Sequence, residues 1–108
     1  MYNIRVQGSV RRVDTKLIVI ELTPDSNAKL EKVLSSLKET TNIRTVHYSG
    51  SFAFRITGYT RFLNQPVGDI INMVGRTVDI TVSYSYYRFE KDVVMDGYSF
   101  TAKIIRVL

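Results

Sequence analysis

Period-two alternation runs through most of this chain, and it limits the structures that the chain can form. In the predicted strand 76–89, apolar side chains fall on every second position from Val78 to Tyr84, with Asp, Thr and Ser between them. The segments 2–13 and 52–59 repeat the pattern. Successive side chains of a strand point to opposite faces, so this spacing predicts half-buried β-strands. The apolar run 17–20 predicts another strand, in a hairpin with the first, and Gly8 predicts a bulge or a sharp bend.

Two segments interrupt the strands with signals for helices. After polar residues that suit a helix N-terminus, apolar residues at 30, 33, 34 and 37 recur at helical spacing and predict an amphipathic helix over Asn27–Thr40. We interpret its charged face, which carries both signs, as solvated surface. A second, shorter helix is predicted over Val67–Val74, because Pro66 suits a first helical turn and Gly75 suits the position just past a helix end.

The order of these elements predicts the fold class. Most neighbours are joined by short turns, which favours a mostly antiparallel sheet. With 108 residues, the chain is predicted to form one domain, 1–108. Closing a sheet into a barrel removes exposed strand edges, and a long first strand that bends at Gly8 suits such closure. We therefore expect a β-rich (α+β) fold, a five-stranded antiparallel barrel with one short helix before its fourth strand and an additional amphipathic helix in its first half.

The segment Ser83–Phe89 carries the strongest signal for function. It reads Ser-Tyr-Ser-Tyr-Tyr-Arg-Phe, four rings and a guanidinium in a predicted strand. A core rarely takes several tyrosines, because each buried hydroxyl needs a hydrogen-bond partner. Unpaired bases stack on aromatic rings while Arg and Lys hold the phosphates, and a formal charge of +5 favours polyanionic partners. The alternative is an ordinary strand, since Tyr is a strong strand former whose hydroxyl reaches the surface.

Two segments carry a resemblance to a known family. Ile71–Val82 (INMVGRTVDITV) and Gly97–Ile104 (GYSFTAKI), with the aromatic run and a charged loop between them, resemble the second half of an OB-fold. The pattern is similar to small viral and phage single-stranded-DNA-binding proteins, and it covers Ser49–Leu108. The resemblance implies an OB-like barrel that binds single-stranded DNA, in the host-cell cytoplasm if the protein is viral. The chain ends in a predicted strand and has no Trp, so we expect no acidic recruitment tail, and stacking falls to Tyr and Phe.

The predicted binding surface combines rings and cations of the strands and of the loop between the last two strands. Its residues are Tyr48, Phe52, Arg55, Tyr59, Arg61, Tyr86, Tyr87, Arg88, Phe89, Lys91, Tyr98 and Lys103. Tyr87 and Phe89 share one face and are expected to be the main stacking pair. Arg55 and Tyr59 share one face of the strand 52–59 and form a second patch. The other rings assigned to the core are Phe54, Phe62, Tyr84 and Phe100.

The chain offers little for catalysis, metal binding or membrane insertion. It has no cysteine and a single histidine, His47, so it lacks the usual zinc ligands. The carboxylates between Glu90 and Asp96 lack the spacing of a calcium loop, and the glycines form no phosphate-binding loop. No apolar run approaches the roughly 20 residues of a membrane-spanning helix. We therefore expect a cytoplasmic protein that is not an enzyme, needs no metal or cofactor, and does not contact a membrane.

Two functions follow from these patterns. The first is sequence-tolerant binding of single-stranded nucleic acid, with DNA favoured over RNA, in replication, recombination or repair. The second is a structural or protein-interaction module that forms homo-oligomers through its aromatic edge strand, because interfaces are rich in Tyr. The two respond differently to salt: phosphate contacts weaken as the salt concentration rises, whereas an apolar interface persists.

Overall fold

The computed structural model describes residues 2–37, 42–43, 46–48, 51–65, 70–90 and 94–108, with the backbone alone at 42–43, 46–48, 87–90 and 94–97. Within these residues, its strands and helices follow the predicted order except between the two helices, where four short strands replace the two that the sequence predicts. In chain order they are β1 (Tyr2–Val13), β2 (Leu17–Leu22), α1 (Pro24–Leu37), β3 (Asn42–Ile43), β4 (Val46–Tyr48), β5 (Ser51–Arg55), β6 (Arg61–Leu63), a 3₁₀ helix (Ile70–Met73), β7 (Thr77–Glu90) and β8 (Val94–Val107).

Five strands close into a barrel. Each of β1, β2, β5, β8 and β7 pairs with the next, and β7 pairs back with β1. These pairs are antiparallel except for the closing contact between β5 and β8, which is parallel and joins Arg55 to Thr101. Outside the barrel, β3 and β6 run parallel to β8, and β4 forms a hairpin with β5. The predicted five-stranded, OB-like barrel is thus confirmed.

The barrel core forms where the period-two faces of the strands meet. Alternate residues of β1 and β7 point inward, and in β7 Val78, Ile80 and Val82 are fully buried. The remaining core comes from β2, β5, β8, α1 and the 3₁₀ helix. Two residues of the predicted polar face of β7 depart from this pattern: Ser83 is 4 % exposed, and Asp79 is 9 % exposed although it lies on the outer face, where it forms an ion pair with Arg5.

Gly8 has a different role from the predicted bulge. The register shift in β1 lies between Val10 and Arg12, so the bulge comes after Gly8. Gly8 itself pairs with Val78 on one side and Leu22 on the other, and its φ is not in the left-handed region. A Cβ at this position would lie 2.3 Å from the Glu21 carbonyl oxygen. Glycine is therefore needed because the backbones of β1 and β2 approach closely.

The first helix begins at Pro24, three residues before the predicted start at Asn27. Thr23 caps it: its Oγ1 accepts a hydrogen bond from the Ser26 N–H at 3.3 Å, and its carbonyl accepts one from the Asn27 N–H at 2.8 Å. Pro24 then occupies the first helical position, where a missing N–H costs nothing. The helix is predicted to end at Thr40, but residues 38–40 lie outside the described residues.

Helix α1 completes the barrel wall where β2 does not reach. β2 pairs with β1 from Gly8 onward, and α1 lies along the preceding residues of β1. The Gln7 N–H donates to Ser26 Oγ at 2.8 Å, the Thr23 N–H donates to the Gln7 carbonyl at 2.9 Å, and Lys29 Nζ donates to the Arg5 carbonyl at 3.1 Å. This position brings the apolar face of the predicted amphipathic helix, with Leu30 and Leu34 buried, into the core.

The predicted strand 52–59 ends earlier, at Arg55, because a threonine turn follows it. The Thr57 N–H donates to Thr60 Oγ1 at 3.0 Å, and the Thr60 N–H donates back to the Thr57 carbonyl at 3.1 Å. Thr60 Oγ1 also donates to the Ala102 carbonyl at 2.7 Å, which ties the turn to β8. Hydroxyl side chains that bond nearby backbone groups compete with strand pairing in this way.

The second predicted helix is seen as the 3₁₀ helix Ile70–Met73. Met73 is fully buried in the core. Gly75 follows the helix with a φ of +85°, the left-handed conformation that glycine adopts without steric cost. The prediction began at Val67, and residues 66–69 lie outside the described residues.

Candidate nucleic-acid interface

Five aromatic side chains form a continuous row on one face of β1, β7 and β8, which we call the ring row: Tyr2, Tyr84, Tyr86, Tyr98 and Phe100. The strand register builds it, since Tyr84 pairs with both Tyr2 and Phe100, and Tyr86 pairs with Tyr98. The Tyr84 ring stacks on Phe100 and on Tyr2, with ring centroids 5.3 and 5.6 Å apart. Tyr98 meets Tyr86 edge-on at 5.8 Å and Tyr84 at 6.5 Å. These separations lie in the range that aromatic pairs prefer.

The ring row leads from the core to the solvent. It continues the inward face of β7, where Val78, Ile80 and Val82 are buried, so its first members pack against the barrel core. Phe100 is 2 % exposed, Tyr84 and Tyr98 are half-buried, and Tyr86 and Tyr2 are 48 % and 65 % exposed. The buried rings fix the position of the exposed ones. A flat ligand can therefore reach rings that are already held in place.

Cations gather on the outer face of β1, β2 and β5. In the strand register, Arg12 lies opposite Val19 and Arg55 lies opposite Leu17. Arg11 forms an ion pair with Glu21. Arg55 Nη1 donates to Ser99 Oγ of β8 at 3.1 Å, which places this guanidinium at the closure of the barrel. Ser99 and Tyr98 are neighbours in one strand, so Arg55 and the ring row lie on opposite faces of β8.

The turn between β1 and β2 is held by a carboxylate. Asp14 Oδ1 accepts hydrogen bonds from the backbone N–H groups of Lys16 at 2.7 Å and Leu17 at 2.9 Å. The bond from Lys16 is the main reason that the pKa of the Asp14 carboxyl lies below its ordinary value, with smaller contributions from the Leu17 N–H and the charges of Arg12 and Lys16. The ionised carboxylate thus fixes the loop that presents Lys16.

Phe52 requires a correction. The sequence suggested that its ring is available for stacking, but the side chain is 1 % exposed and belongs to the core. The four residues 51–54 are all buried, so β5 is covered on both faces and its alternation does not mark a solvent side. Phe54 and Phe100 are buried as predicted, and Phe62 packs partly buried against the core.

The predicted patch of Arg55 and Tyr59 is not one strand face. Arg55 is the last residue of β5, whereas Tyr59 lies in the threonine turn and is 86 % exposed. Arg61 is exposed at the start of β6, opposite Ile104. Lys103 is half-buried at the register shift of β8, between Ala102 and Ile104. Along β8, Lys103 and Arg61 lie at the level of positions 103 and 104, beyond the ring row, whereas Arg55 bonds Ser99, between Tyr98 and Phe100, on the opposite face of the strand.

The remaining predicted positions stay predictions. Tyr87, Arg88 and Phe89 belong to β7 and Tyr48 belongs to β4, but their side chains lie outside what the structure describes. Lys91 lies outside the described residues altogether. The expected main stacking pair, Tyr87 and Phe89, is therefore among these positions. Tyr86 and Tyr98 are the predicted rings that the structure places side by side.

Tyr2 is the ring that sequence reasoning missed as a candidate. Its alternation with Ile4 and Val6 placed it on the inward face of β1. The pairing of β1 with β7, which joins Tyr2 to Tyr84 across 82 positions of the chain, brings it into the ring row. The available signal was that β1 begins with an aromatic residue and β7 ends with several. Alternation alone, however, does not show which strands pair.

Two searches of the described residues bear on other functions. No group of three or more His, Cys, Asp or Glu side chains is arranged to hold a metal ion within that part of the chain. None of the helices described here is long and apolar enough to cross a membrane. His47 and the carboxylates Glu90, Asp92 and Asp96 have side chains outside the description.

Comparisons with known proteins add no relative. The chain matches no protein-family model, no curated protein and no solved structure. The ring row and the cations around the barrel therefore have to be interpreted from their own geometry.

Proposed function

We propose that this protein binds single-stranded nucleic acid, DNA in preference to RNA, by stacking bases on the ring row. The single observation that supports this most is the gradient of exposure along that row, from the buried Phe100 to the exposed Tyr86 and Tyr2. Base stacking on aromatic side chains contributes about 1–3 kcal/mol per base and tolerates any sequence. Such binding suits the single strands that arise in replication, recombination and repair.

The barrel topology supports the same proposal. In OB-folds, the face of the second and third barrel strands and the loops flanking it bind oligonucleotides. Here those strands are β2 and β5, and the loops are the Asp14–Lys16 turn and the β7–β8 connection. Arg12, Lys16 and Arg55 lie along this path with the Asp14 carboxylate, which is 3.9 Å from Arg12, so positive charge remains in excess; the ring row lies on the hairpin that leads to the second loop. Phosphate contacts there add a salt-dependent term.

The test is fluorescence anisotropy with labelled oligo-dT, a mixed-sequence strand, the matching duplex and an RNA strand. We expect both DNA single strands to bind with similar affinity and more tightly than the duplex or the RNA. Tyr86→Ala and Tyr2→Ala should each weaken binding about 5-fold to 150-fold, the equivalent of one lost stacking contact. Tyr86→Phe keeps the ring and should bind like the wild type.

Ile71→Ala is the matched control for surface truncation. Ile71 is 62 % exposed on the 3₁₀ helix. That helix lies near Val10 and Arg76, at the end of β7 that is far from Tyr84. Its replacement should leave affinity unchanged. Folded Tyr86→Ala and Tyr2→Ala variants that bind like the wild type would remove the ring row from the interface. No binding of the wild type to any strand at low salt would refute the proposal.

A second candidate function is self-association along the β7–β8 hairpin. β1 pairs with β7 only as far as Tyr84. From Ser85 to Glu90, the pairings among the described residues join β7 to β8. A strand from another copy that pairs along this stretch would bury Tyr86. Sedimentation velocity in the absence of nucleic acid distinguishes the two: an oligomer that persists at high salt and dissociates in Tyr86→Ala favours self-association.

A further inference from the structure

Two clefts lie on the outer face of β1, β7 and β8, and they share Arg5 and Asp79. The first has a volume of about 350 Å³ and is lined by Arg5, Gln7, Ser26, Lys29 and Asp79. The second has a volume of about 230 Å³ and is lined by Arg5, Asp79, Thr81, Ile104 and Arg106. Both belong to a side of the barrel whose central strand, β7, pairs with β1 and β8. This is away from the β2–β5 face discussed above.

The charges in these clefts do not balance. Asp79 pairs with Arg5, whose Nη2 lies 2.5 Å from the Asp79 carboxylate. Asp79 is also directly opposite Arg106 in the strand register, and Lys29 lines the first cleft from α1. Three cations and one carboxylate thus line the two clefts, which leaves two positive charges in excess. The carboxylate side chain is 10 % exposed and that of Arg5 is 65 % exposed, so the acid is covered and the cation faces the solvent.

The strands and the helix hold these cations in a defined arrangement. The ion pair with Asp79 orients the Arg5 guanidinium across the outer face of β1 and β7. Lys29 is positioned by the hydrogen bond from its Nζ to the Arg5 carbonyl, at 3.1 Å. An arginine carries five N–H donors and a lysine three, more than these bonds use. Hydroxyl and amide groups of Gln7, Ser26 and Thr81 complete a polar lining.

We infer that the two clefts bind phosphate groups of a nucleic-acid strand, one beside Lys29 and one beside Arg106, with Arg5 between them. The inference rests on the proposed single-strand binding and extends it to a second surface. Two excess positive charges match two singly charged phosphodiesters. Arg5 lies three residues from Tyr2, about 10 Å along a strand, so a strand that stacks on Tyr2 can pass over the barrel rim to Arg5. Neither Lys29 nor Arg106 was among the predicted interface residues.

The experiment measures how affinity depends on salt for three charge-removing variants of the full chain. Lys29→Gln and Arg106→Gln each remove one cation from a cleft. Lys32→Gln removes one from the exposed side of α1 outside both clefts and is the matched control. All three change the net charge equally, so a general effect of charge appears in each. Thermal melts establish that the variants are folded.

We expect each cleft variant to lose one phosphate contact, which reduces the slope of log affinity against log salt by about 0.7 for a single strand. Between about 50 and 200 mM salt, the affinity of the wild type should then fall roughly 2.6-fold more than that of either variant, and about 7-fold more than that of the double variant. Slopes for Lys29→Gln and Arg106→Gln that equal the slope of Lys32→Gln would overturn the inference.

An abasic strand separates this inference from the proposed function, because it keeps the phosphates and lacks the bases that stack. We expect the abasic strand to bind in a way that depends on Lys29 and Arg106 and not on Tyr86. If oligo-dT binds and its affinity depends on Tyr86 but not on the cleft cations, the inference alone fails. If oligo-dT does not bind, the proposed function fails, and an abasic strand that also does not bind overturns the inference as well. Inorganic pyrophosphate, added as a competitor of the bound strand, shows whether a free phosphate compound can also occupy the clefts.

Discussion

Replacing Gly8 by alanine tests the account of how the barrel closes. The added Cβ would lie 2.3 Å from the Glu21 carbonyl oxygen and 2.5 Å from Ile20 Cγ2. The Ile20 methyl belongs to a side chain that is fully buried, and the carbonyl belongs to the backbone of β2, so neither can move aside without shifting a strand. Overpacking of this kind costs about 1–3 kcal/mol, and contact with backbone places Gly8→Ala near the upper limit.

Two other glycines calibrate this effect in the same protein. An added Cβ at Gly75 meets nothing within 4 Å, but its φ of +85° disfavours any L side chain by about 1–2 kcal/mol. An added Cβ at Gly58 also meets nothing within 4 Å, and its φ is not in the left-handed region. Gly58→Ala should therefore be neutral or slightly stabilising, since alanine lowers the entropy of the unfolded chain. The expected order of destabilisation is Gly8, then Gly75, then Gly58.

Thermal and urea denaturation followed by circular dichroism measure the three variants. For a chain of this length, 1 kcal/mol corresponds to roughly 4 °C in melting temperature, so we expect Gly8→Ala to melt roughly 12 °C below the wild type. The urea m-value should stay constant if the variant loses stability without changing the denatured state. A Gly8→Ala protein that melts within about 2 °C of Gly58→Ala would refute the close approach of β1 and β2, because no tolerated Cβ lies so near a carbonyl oxygen.

Two further predictions concern the turns that flank the barrel. The lowered pKa of Asp14 means that its carboxylate stabilises the folded state above the ordinary carboxyl pKa, and that this contribution is lost as the pH falls through the lowered pKa. The difference in melting temperature between the wild type and Asp14→Ala should be present at neutral pH and shrink below pH ~4; a difference independent of pH would contradict the role of the Lys16 N–H bond. Thr60→Val removes the hydroxyl that bonds the Thr57 N–H and the Ala102 carbonyl, and should lower the free energy of unfolding by about 1–3 kcal/mol in urea titrations, whereas Thr60→Ser should keep most of it. Equal stability of the Val and Ser variants would show that the turn does not depend on that hydroxyl.

Local patterns predicted most of the elements, because strand and helix faces repeat over a few residues. The alternation in β1 and β7 correctly assigned Ile4, Val6, Val78 and Ile80 to the core. The spacing of Leu30 and Leu34 correctly identified the buried face of α1. Boundaries were less accurate where side chains compete with the backbone, as with the cap at Thr23 and the turn after Arg55.

The candidate site was predicted in part. The sequence predicted Tyr86 and Tyr98 as interface rings, which stays a prediction, and the register places them side by side in the ring row. It also proposed Phe52, which is buried because β5 is covered on both faces. A strand pattern distinguishes two faces but does not show whether a second layer covers the outer one, so exposure on β5 could not be inferred from spacing.

The amino-acid sequence by itself determined the strand and helix faces, the positive charge, and the concentration of rings at the end of β7. Tertiary structure alone decided that Tyr2 joins Tyr84, that α1 completes the wall beside β1, and that Lys29 and Arg106 line clefts together with Arg5 and Asp79. These contacts join residues that are far apart in the chain. Periodicity reports which face of a segment is apolar, whereas the partner of that face depends on how strands pair across the closed barrel.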